Sequence, residues 1–193
     1  MKTLPQVIEE AQNRYARASS PVPILNDVLN KVSGDIVNIL SCDFAEHGIL
    51  VIGSQNPLQH DALAVITLMR GFFNGRNLFD VVSKSCDAFL HADVAVVPRG
   101  SGEAILSREL GCIVLDTLVC CCKRQLKEAG YMVTDRSQLT VKELARSIRH
   151  EIIKHYKNNF SDRPGIAQQA NRAAEQEAQW QLDRIATIAQ EMV

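Results

Sequence analysis

The stretch that decides the fold lies in the middle of the chain, where residues 103–129 read EAILSRELGCIVLDTLVCCCKRQLKEA. Apolar residues recur in it at the three- and four-residue spacing of an α-helix, namely Ile105, Cys112, Leu115, Val119, Cys122 and Leu126. Others widen this stripe to most of the helix circumference, namely Leu106, Leu110, Ile113, Val114 and Leu118. A helix that is apolar on nearly all sides is buried. The pattern therefore predicts a central buried helix, although residues 112–121 would also suit a buried strand.

The next helix toward the C-terminus has the clearest local start signal in the chain. Thr140 and Glu143 have the residue types and the spacing of a capping box, in which each side chain accepts a hydrogen bond from the backbone of the other. We therefore expect a helix that begins at Val141 and ends near residues 158–159.

Two helices and a break are predicted in the N-terminal part. Residues 1–20 have the pattern of a polar amphipathic helix, and the prolines at positions 21 and 23 interrupt it. Apolar positions then recur at helical spacing from about residue 24 to residue 47. Gly48 follows directly and is predicted to end this second helix, because glycine is favoured just after a helix C-terminus.

Three short apolar runs are strand candidates, at residues 49–52, 94–97 and 131–133. Helical patterns separate the first two, one ending at Phe73 and one extending from about residue 78 to residue 91. We therefore predict a mainly α fold, more fully an α-rich α+β fold. It has a central buried helix, two or three short strands and a long C-terminal helix.

Length and composition favour one globular domain. The chain has 193 residues, 46% of them hydrophobic, which is enough to form a core. We expect a domain over residues 1–162 and a helical arm over residues 163–193, in which Pro164-Gly165 precedes the helix. The net charge of −1 gives no overall signature of nucleic-acid or membrane binding. The first twenty residues are charged and lack an apolar run, so we expect no signal peptide and a cytoplasmic location.

The cysteines have the pattern of free thiols. Three of the six are consecutive, and neighbouring cysteines on one element face different ways, so they suit no disulfide framework. No C-x-x-C motif occurs, and no histidine lies at zinc-ligand spacing from a cysteine. We predict that Cys120, Cys121 and Cys122 are unpaired, that at least two of them are buried, and that the chain has no metal or other cofactor.

A basic segment gives the first alternative hypothesis on function. Residues 123–157 contain nine basic and four acidic residues. Lys142, Arg146 and Arg149 are spaced to share one helix face, and a basic face can follow the phosphates of a nucleic acid. This hypothesis is a nucleic-acid-binding regulator that uses Lys142, Arg146, Arg149, Lys154 and Lys157.

A second alternative comes from the seven residues RHEIIKH at positions 149–155. Arg149 and His155 have a spacing that resembles the Arg-x(4–6)-His motif of HEPN-family ribonucleases. That resemblance implies a helical, often dimeric protein in which Arg149 and His155 act on an RNA phosphodiester without a metal. It covers these seven residues only.

The C-terminal helix, predicted from about residue 166 to residue 192, carries our leading hypothesis. Its apolar positions step by three and four as in a coiled-coil seam, and alanines continue the stripe, which lets another helix approach closely. We expect a non-enzymatic, homo-oligomeric interaction protein that acts as a subunit of a larger assembly. Its expected partner interface consists of Ala170, Ala174, Ala178, Leu182, Ile185, Ala189 and Met192.

Overall fold

The computed structural model describes residues 2–53, 58–72, 102–128 and 139–191. Within residues 102–128, side chains are described from residue 109 onward. Within these ranges the chain forms seven helices and no strand, so the predicted mainly α class is confirmed. The helices are α1 (Leu4–Arg14), α2 (Val22–Leu29), α3 (Asp35–Ile52), α4 (Leu58–Phe72), α5 (Gly102–Glu128), α6 (Val141–Asn159) and α7 (Ile166–Glu191).

The predicted strand at residues 49–52 is wrong, because these residues form the last turn of α3. Ile49 and Ile52 are buried, whereas Leu50 between them is 47% exposed. A short apolar run has no internal period, and here one helix turn places only part of it in the core. The other two strand candidates, at residues 94–97 and 131–133, lie outside the described residues, as does the helix expected at 78–91.

The predicted helix over residues 24–47 is in fact two helices. Gly34 lies between α2 and α3. Its φ of 72° is a backbone conformation that favours glycine and is not that of an α-helix, so one helix cannot continue through it. Gly48 does not end a helix as predicted but lies buried inside α3. Its lack of a side chain lets α3 approach Ile148 of α6 closely.

The central position of α5 is confirmed. This helix packs against α3, α4 and α6, and its residues 112–121 are helical throughout. Its fully or nearly buried apolar side chains include Leu110, Ile113, Val114 and Leu118. Leu115 and Val119 of the predicted stripe are only partly buried.

The predicted start of α6 is also confirmed. The backbone N–H of Glu143 donates to Thr140 Oγ1 at 3.3 Å, and the backbone N–H of Thr140 donates to Glu143 Oε2 at 3.2 Å. Two N-terminal donors that the helix itself cannot satisfy thereby obtain acceptors. The helix begins at Val141 and ends at Asn159.

The last helix, α7, lies along α6 and also contacts α1, α2 and α3. It begins at Ile166, as predicted. Gly165, just before it, has a φ of 78°, a value that glycine adopts readily. Among the described residues, no helix is both long enough and apolar enough to span a membrane.

Candidate functional site

A chain of buried polar side chains connects α6 with α7. Arg149 Nη1 donates to Gln181 Oε1 at 2.7 Å, and Gln181 Nε2 donates to Glu177 Oε1 at 3.0 Å. All three residues are buried. Burial lowers the pKa of the Arg149 guanidinium, and the nearby Glu177 carboxylate opposes that effect. A buried charge needs such partners, so these contacts fix the position of α7 on α6.

The buried chain reaches the surface at His47 on α3. Glu177 Oε2 lies 2.7 Å from His47 Nδ1. The imidazole also stacks on the Trp180 ring, with centroids 3.7 Å apart and planes 5° from parallel. Trp180 also makes an edge contact with Phe44, at 6.2 Å between ring centroids. His47 and Trp180 are therefore held in a fixed orientation at the surface.

Ion pairs beside His47 join three helices. Asp43 of α3 accepts hydrogen bonds from Arg70 of α4 at 2.6 Å and from Arg184 of α7 at 2.7 Å. Arg70 also lies 2.5 Å from Glu46. Burial alone would lower the pKa of Arg70, but the hydrogen bond to Glu46 and the charges of Glu46 and Asp43 outweigh it and raise this pKa. Both guanidinium groups are thereby held in place.

These side chains surround an open groove of about 320 Å³ between α3, α4 and α7, which we call the α3 groove. Leu50 lies at its edge with 47% exposure, and Ile39, farther along α3, is 46% exposed. Tryptophan and arginine are enriched at the energetic centres of protein interfaces. The groove is lined by Asp43, Glu46, His47, Leu50, Arg70, Trp180 and Arg184.

The α3 groove as a whole has no signal within a single segment of the sequence and was not predicted. Its residues come from three helices, and only the part on α3 leaves a local signal. Ile39, Asp43, Glu46 and Leu50 step by four, three and four, so they share one helix face. That face has apolar residues at both ends and charged residues between them.

The expected partner interface on α7 faces the chain's own helices. Its described members, Ala170, Ala174, Ala178, Leu182, Ile185 and Ala189, are all buried within the chain, and Met192 lies outside the described residues. Ile185 is 0% exposed. The small residues do allow a close helix approach, and in this structure the approaching helices belong to the same chain.

The proposed nucleic-acid residues have different surroundings. Arg146 and Lys157 are exposed, whereas Arg149 is buried and donates to Gln181. Lys142 Nζ donates to Asn30 Oδ1 at 3.0 Å, and Lys154 Nζ pairs with Glu151 at 2.8 Å. Arg149 therefore does not extend the face that Lys142 and Arg146 begin. At the end of α5, a separate open cleft of about 540 Å³ is lined by Cys120, Cys121, Lys123, Arg124, Gln125 and Lys127.

The two residues of the ribonuclease-like motif point to different neighbours. Arg149 bonds to α7 through Gln181. His155 Nδ1 lies 3.7 Å from Glu109 Oε2 on α5 and 2.9 Å from the side-chain nitrogen of Asn159. Arg149 thus contacts α7, whereas His155 contacts α5 and its own helix. A ribonuclease site that uses Arg149 and His155 stays a prediction.

Cys120, Cys121 and Cys122 form no disulfide with another described cysteine. Cys121 and Cys122 are buried, which confirms the prediction that at least two of the three are buried. Burial raises the pKa of Cys120 to about 11 and that of Cys122 to about 12. A hydrogen bond with Cys42, together with burial, raises the pKa of Cys121 well above its ordinary value. These thiols are therefore protonated at neutral pH. The described residues contain no group of three or more histidine, cysteine or acidic side chains placed to hold a metal.

Comparison with protein-family models, curated proteins and solved structures finds no match for this chain.

Proposed function

We propose that this chain is a non-enzymatic, homo-oligomeric interaction protein and that it binds through the α3 groove. The observation that carries the proposal is the exposure of Leu50 beside the His47–Trp180 stack. Fully burying a leucine side chain is worth about 1.5–3 kcal/mol, and Leu50 is 47% exposed, so a partner that covers it would gain about half of that.

The groove is also suited to binding because its side chains are already held in place. Glu177 and Trp180 fix the imidazole of His47, and Asp43 fixes Arg70 and Arg184. Immobilising a flexible side chain on binding costs about 0.5–1.5 kcal/mol, and much of that cost has been met in the free chain. We place the interface away from the alanine stripe of α7, because that stripe already packs within the chain.

The mass of the full chain in solution tests this proposal. Size-exclusion chromatography with light scattering should give a multiple of 21.4 kDa that decreases on dilution. Leu50→Asp should shift the mass toward one chain, since a charge cannot be buried there without a partner. Ala167→Asp, at an exposed position on α7, is the matched control and should leave the mass unchanged. A mass of 21.4 kDa for the wild type at every concentration would refute the homo-oligomer.

One observation favours a second candidate, the nucleic-acid-binding regulator. Lys123, Arg124 and Lys127 line one open cleft at the end of α5. Among the ion pairs of the described residues, this cluster has only the Arg124–Glu128 contact at 3.7 Å, and both of those side chains are largely exposed. Exposed cations such as Arg124 and Lys127 can neutralise phosphates. The corresponding experiment is a salt-dependent binding measurement, given in the Discussion.

A further inference from the structure

One side of α6 carries basic side chains at helical spacing. They step by four, four and seven residues along the helix, and we call them the α6 face, namely Lys142, Arg146, His150 and Lys157. We propose that the α6 face binds the backbone of a single-stranded nucleic acid, with an unpaired base stacked at the end of the helix. This inference rests on the second candidate function, the nucleic-acid-binding regulator, since it names the class of nucleic acid and the surface that binds it.

The first argument is that the cations of the α6 face are available to a partner. Arg146 and Lys157 are exposed, and within the described ranges neither forms an ion pair with a carboxylate. Lys142 donates to the neutral side chain of Asn30, so its charge is not compensated by that contact. Glu143, next to Lys142 in sequence, uses its Oε2 in the capping box. A polyanion therefore meets positive charge here, unlike at the α3 groove, where the cations and carboxylates are paired.

The second argument is the length of the α6 face. Lys142 and Lys157 lie about 22 Å apart along the helix axis, given a rise of 1.5 Å per residue. That distance is the length of about six or seven stacked nucleotides at 3.4 Å each. A backbone with regularly spaced phosphates can contact several of these cations at once, whereas a compact anion would contact one or two of them.

The third argument is an aromatic platform just beyond Lys157, at the end of α6. The partly exposed rings of Tyr156 and Phe160 have centroids 6.0 Å apart, and the exposed Arg163 guanidinium lies 4.5 Å from the Phe160 centroid. Asp162 is the acidic residue of this turn, so with Lys157 and Arg163 positive charge remains in excess. Unpaired bases stack on aromatic rings and on arginine planes, whereas the bases of a duplex stack on one another. The platform therefore favours a single strand.

Fluorescence anisotropy of the full chain with a labelled DNA oligonucleotide of about twelve nucleotides tests the proposal. At about 50 mM salt, the single strand should bind several-fold more tightly than a duplex of the same sequence. Arg146→Glu combined with Lys157→Glu should weaken this binding about tenfold and reduce the slope of log K against log salt by about 0.7 for each lost contact. Lys2→Glu combined with Arg17→Glu changes the net charge equally at exposed positions outside the α6 face, and should leave both quantities nearly unchanged.

Arg163→Lys separates stacking from charge, because lysine keeps the positive charge but has no planar group. Arg163 is exposed, so the fold should be retained, which far-UV circular dichroism checks for every variant. This variant should lose several-fold of the preference for the single strand, while the salt slope stays the same. Equal affinity of the wild type for single strand and duplex would overturn the single-stranded class.

Two further outcomes separate this inference from the function on which it rests. If the wild type binds neither form at low salt, the second candidate function and this inference both fail. If Lys123→Glu with Lys127→Glu weakens binding but Arg146→Glu with Lys157→Glu behaves like the control, nucleic-acid binding stands and the α6 face is wrong. Equal binding of a labelled polyglutamate would show that the face takes any polyanion, and nucleic acid would not be its specific partner.

Discussion

Gly48 and Ile148 lie so close that a β-carbon at position 48 would be 2.5 Å from Ile148 Cγ2. No side chain fits at that distance without movement, and Ile148 is fully buried, so it has little room to move. A β-carbon at position 48 would also lie 3.7 Å from Ile113 Cδ1 of α5. Gly48 is therefore the position at which α3 contacts the centre of the bundle.

We predict that Gly48→Ala lowers the free energy of unfolding by about 1–3 kcal/mol, as overpacked core positions do. Urea denaturation measures the change. In an Ile148→Ala background the same substitution should be much less destabilising, because Cγ2 is gone. Gly34→Ala is the control: it is strained by its φ of 72° but has no neighbour within 4 Å, so its effect should not depend on residue 148. If the effects of Gly48→Ala and Ile148→Ala add independently, the contact does not limit position 48.

A second prediction concerns the buried hydrogen bonds between α6 and α7. Gln181→Leu would leave Arg149 Nη1 without this acceptor and Glu177 Oε1 without this donor. Each buried polar group left unsatisfied costs about 1–3 kcal/mol, so the chain should lose a few kcal/mol of stability. Gln179→Leu, on the exposed side of the same helix, is the matched control and should change stability by less than about 0.5 kcal/mol. Equal melting temperatures for the two variants would show that the network adds nothing to stability.

The cysteine pKa values predict a loss of stability in alkaline solution. The folded chain raises the pKa of Cys120 from 9.0 to about 11 and that of Cys122 to about 12. A group whose pKa is raised on folding contributes stability below its unfolded pKa, and that contribution is lost as the pH rises through the folded value. The urea midpoint should therefore fall from about pH 9 upward. Cys120→Ala should make this fall shallower, and an unchanged slope would contradict the assignment.

Features that depend on neighbouring residues could be predicted from the sequence. The capping box of Thr140 and Glu143 acts within one turn, so the start of α6 was correct. The apolar circumference of α5 likewise depends only on its own period, and the central helix followed from it. The start of α7 followed from the Pro164-Gly165 break directly before Ile166.

Features that depend on distant residues could not be predicted in this way. Gly48 has the residue type of a helix end, but its place inside α3 is set by Ile148, a hundred positions later. Arg149 is spaced to share a helix face with the cations Lys142 and Arg146. Gln181 of α7 nevertheless provides the acceptor that permits the burial of Arg149. The α3 groove needs α3, α4 and α7 together, so no single segment indicates it.

The nucleic-acid hypothesis predicts binding that weakens steeply with salt, because neutralised phosphates release counterions. If the hypothesis is correct, Lys123→Glu combined with Lys127→Glu, both in the cleft at the end of α5, should abolish retention on a DNA or RNA column. Lys2→Glu, an exposed cation on the N-terminal side of α1, is the control and should leave retention unchanged. Failure of the wild type to bind at low salt would remove the regulator from consideration.

The last prediction contrasts two aspartate substitutions, at Ile185 on α7 and at Leu50 on α3. Ile185 is fully buried among the chain's own helices, so Ile185→Asp should place an unpaired charge in the core and lower stability by several kcal/mol. Leu50 is 47% exposed, so Leu50→Asp should lower the urea midpoint far less than Ile185→Asp does, while it reduces the mass in solution. Denaturation and light scattering on the same samples separate the two effects. If instead Ile185→Asp yields a stable single chain and Leu50→Asp has no effect, α7 would be an interface between chains, and the α3 groove would not be the binding surface.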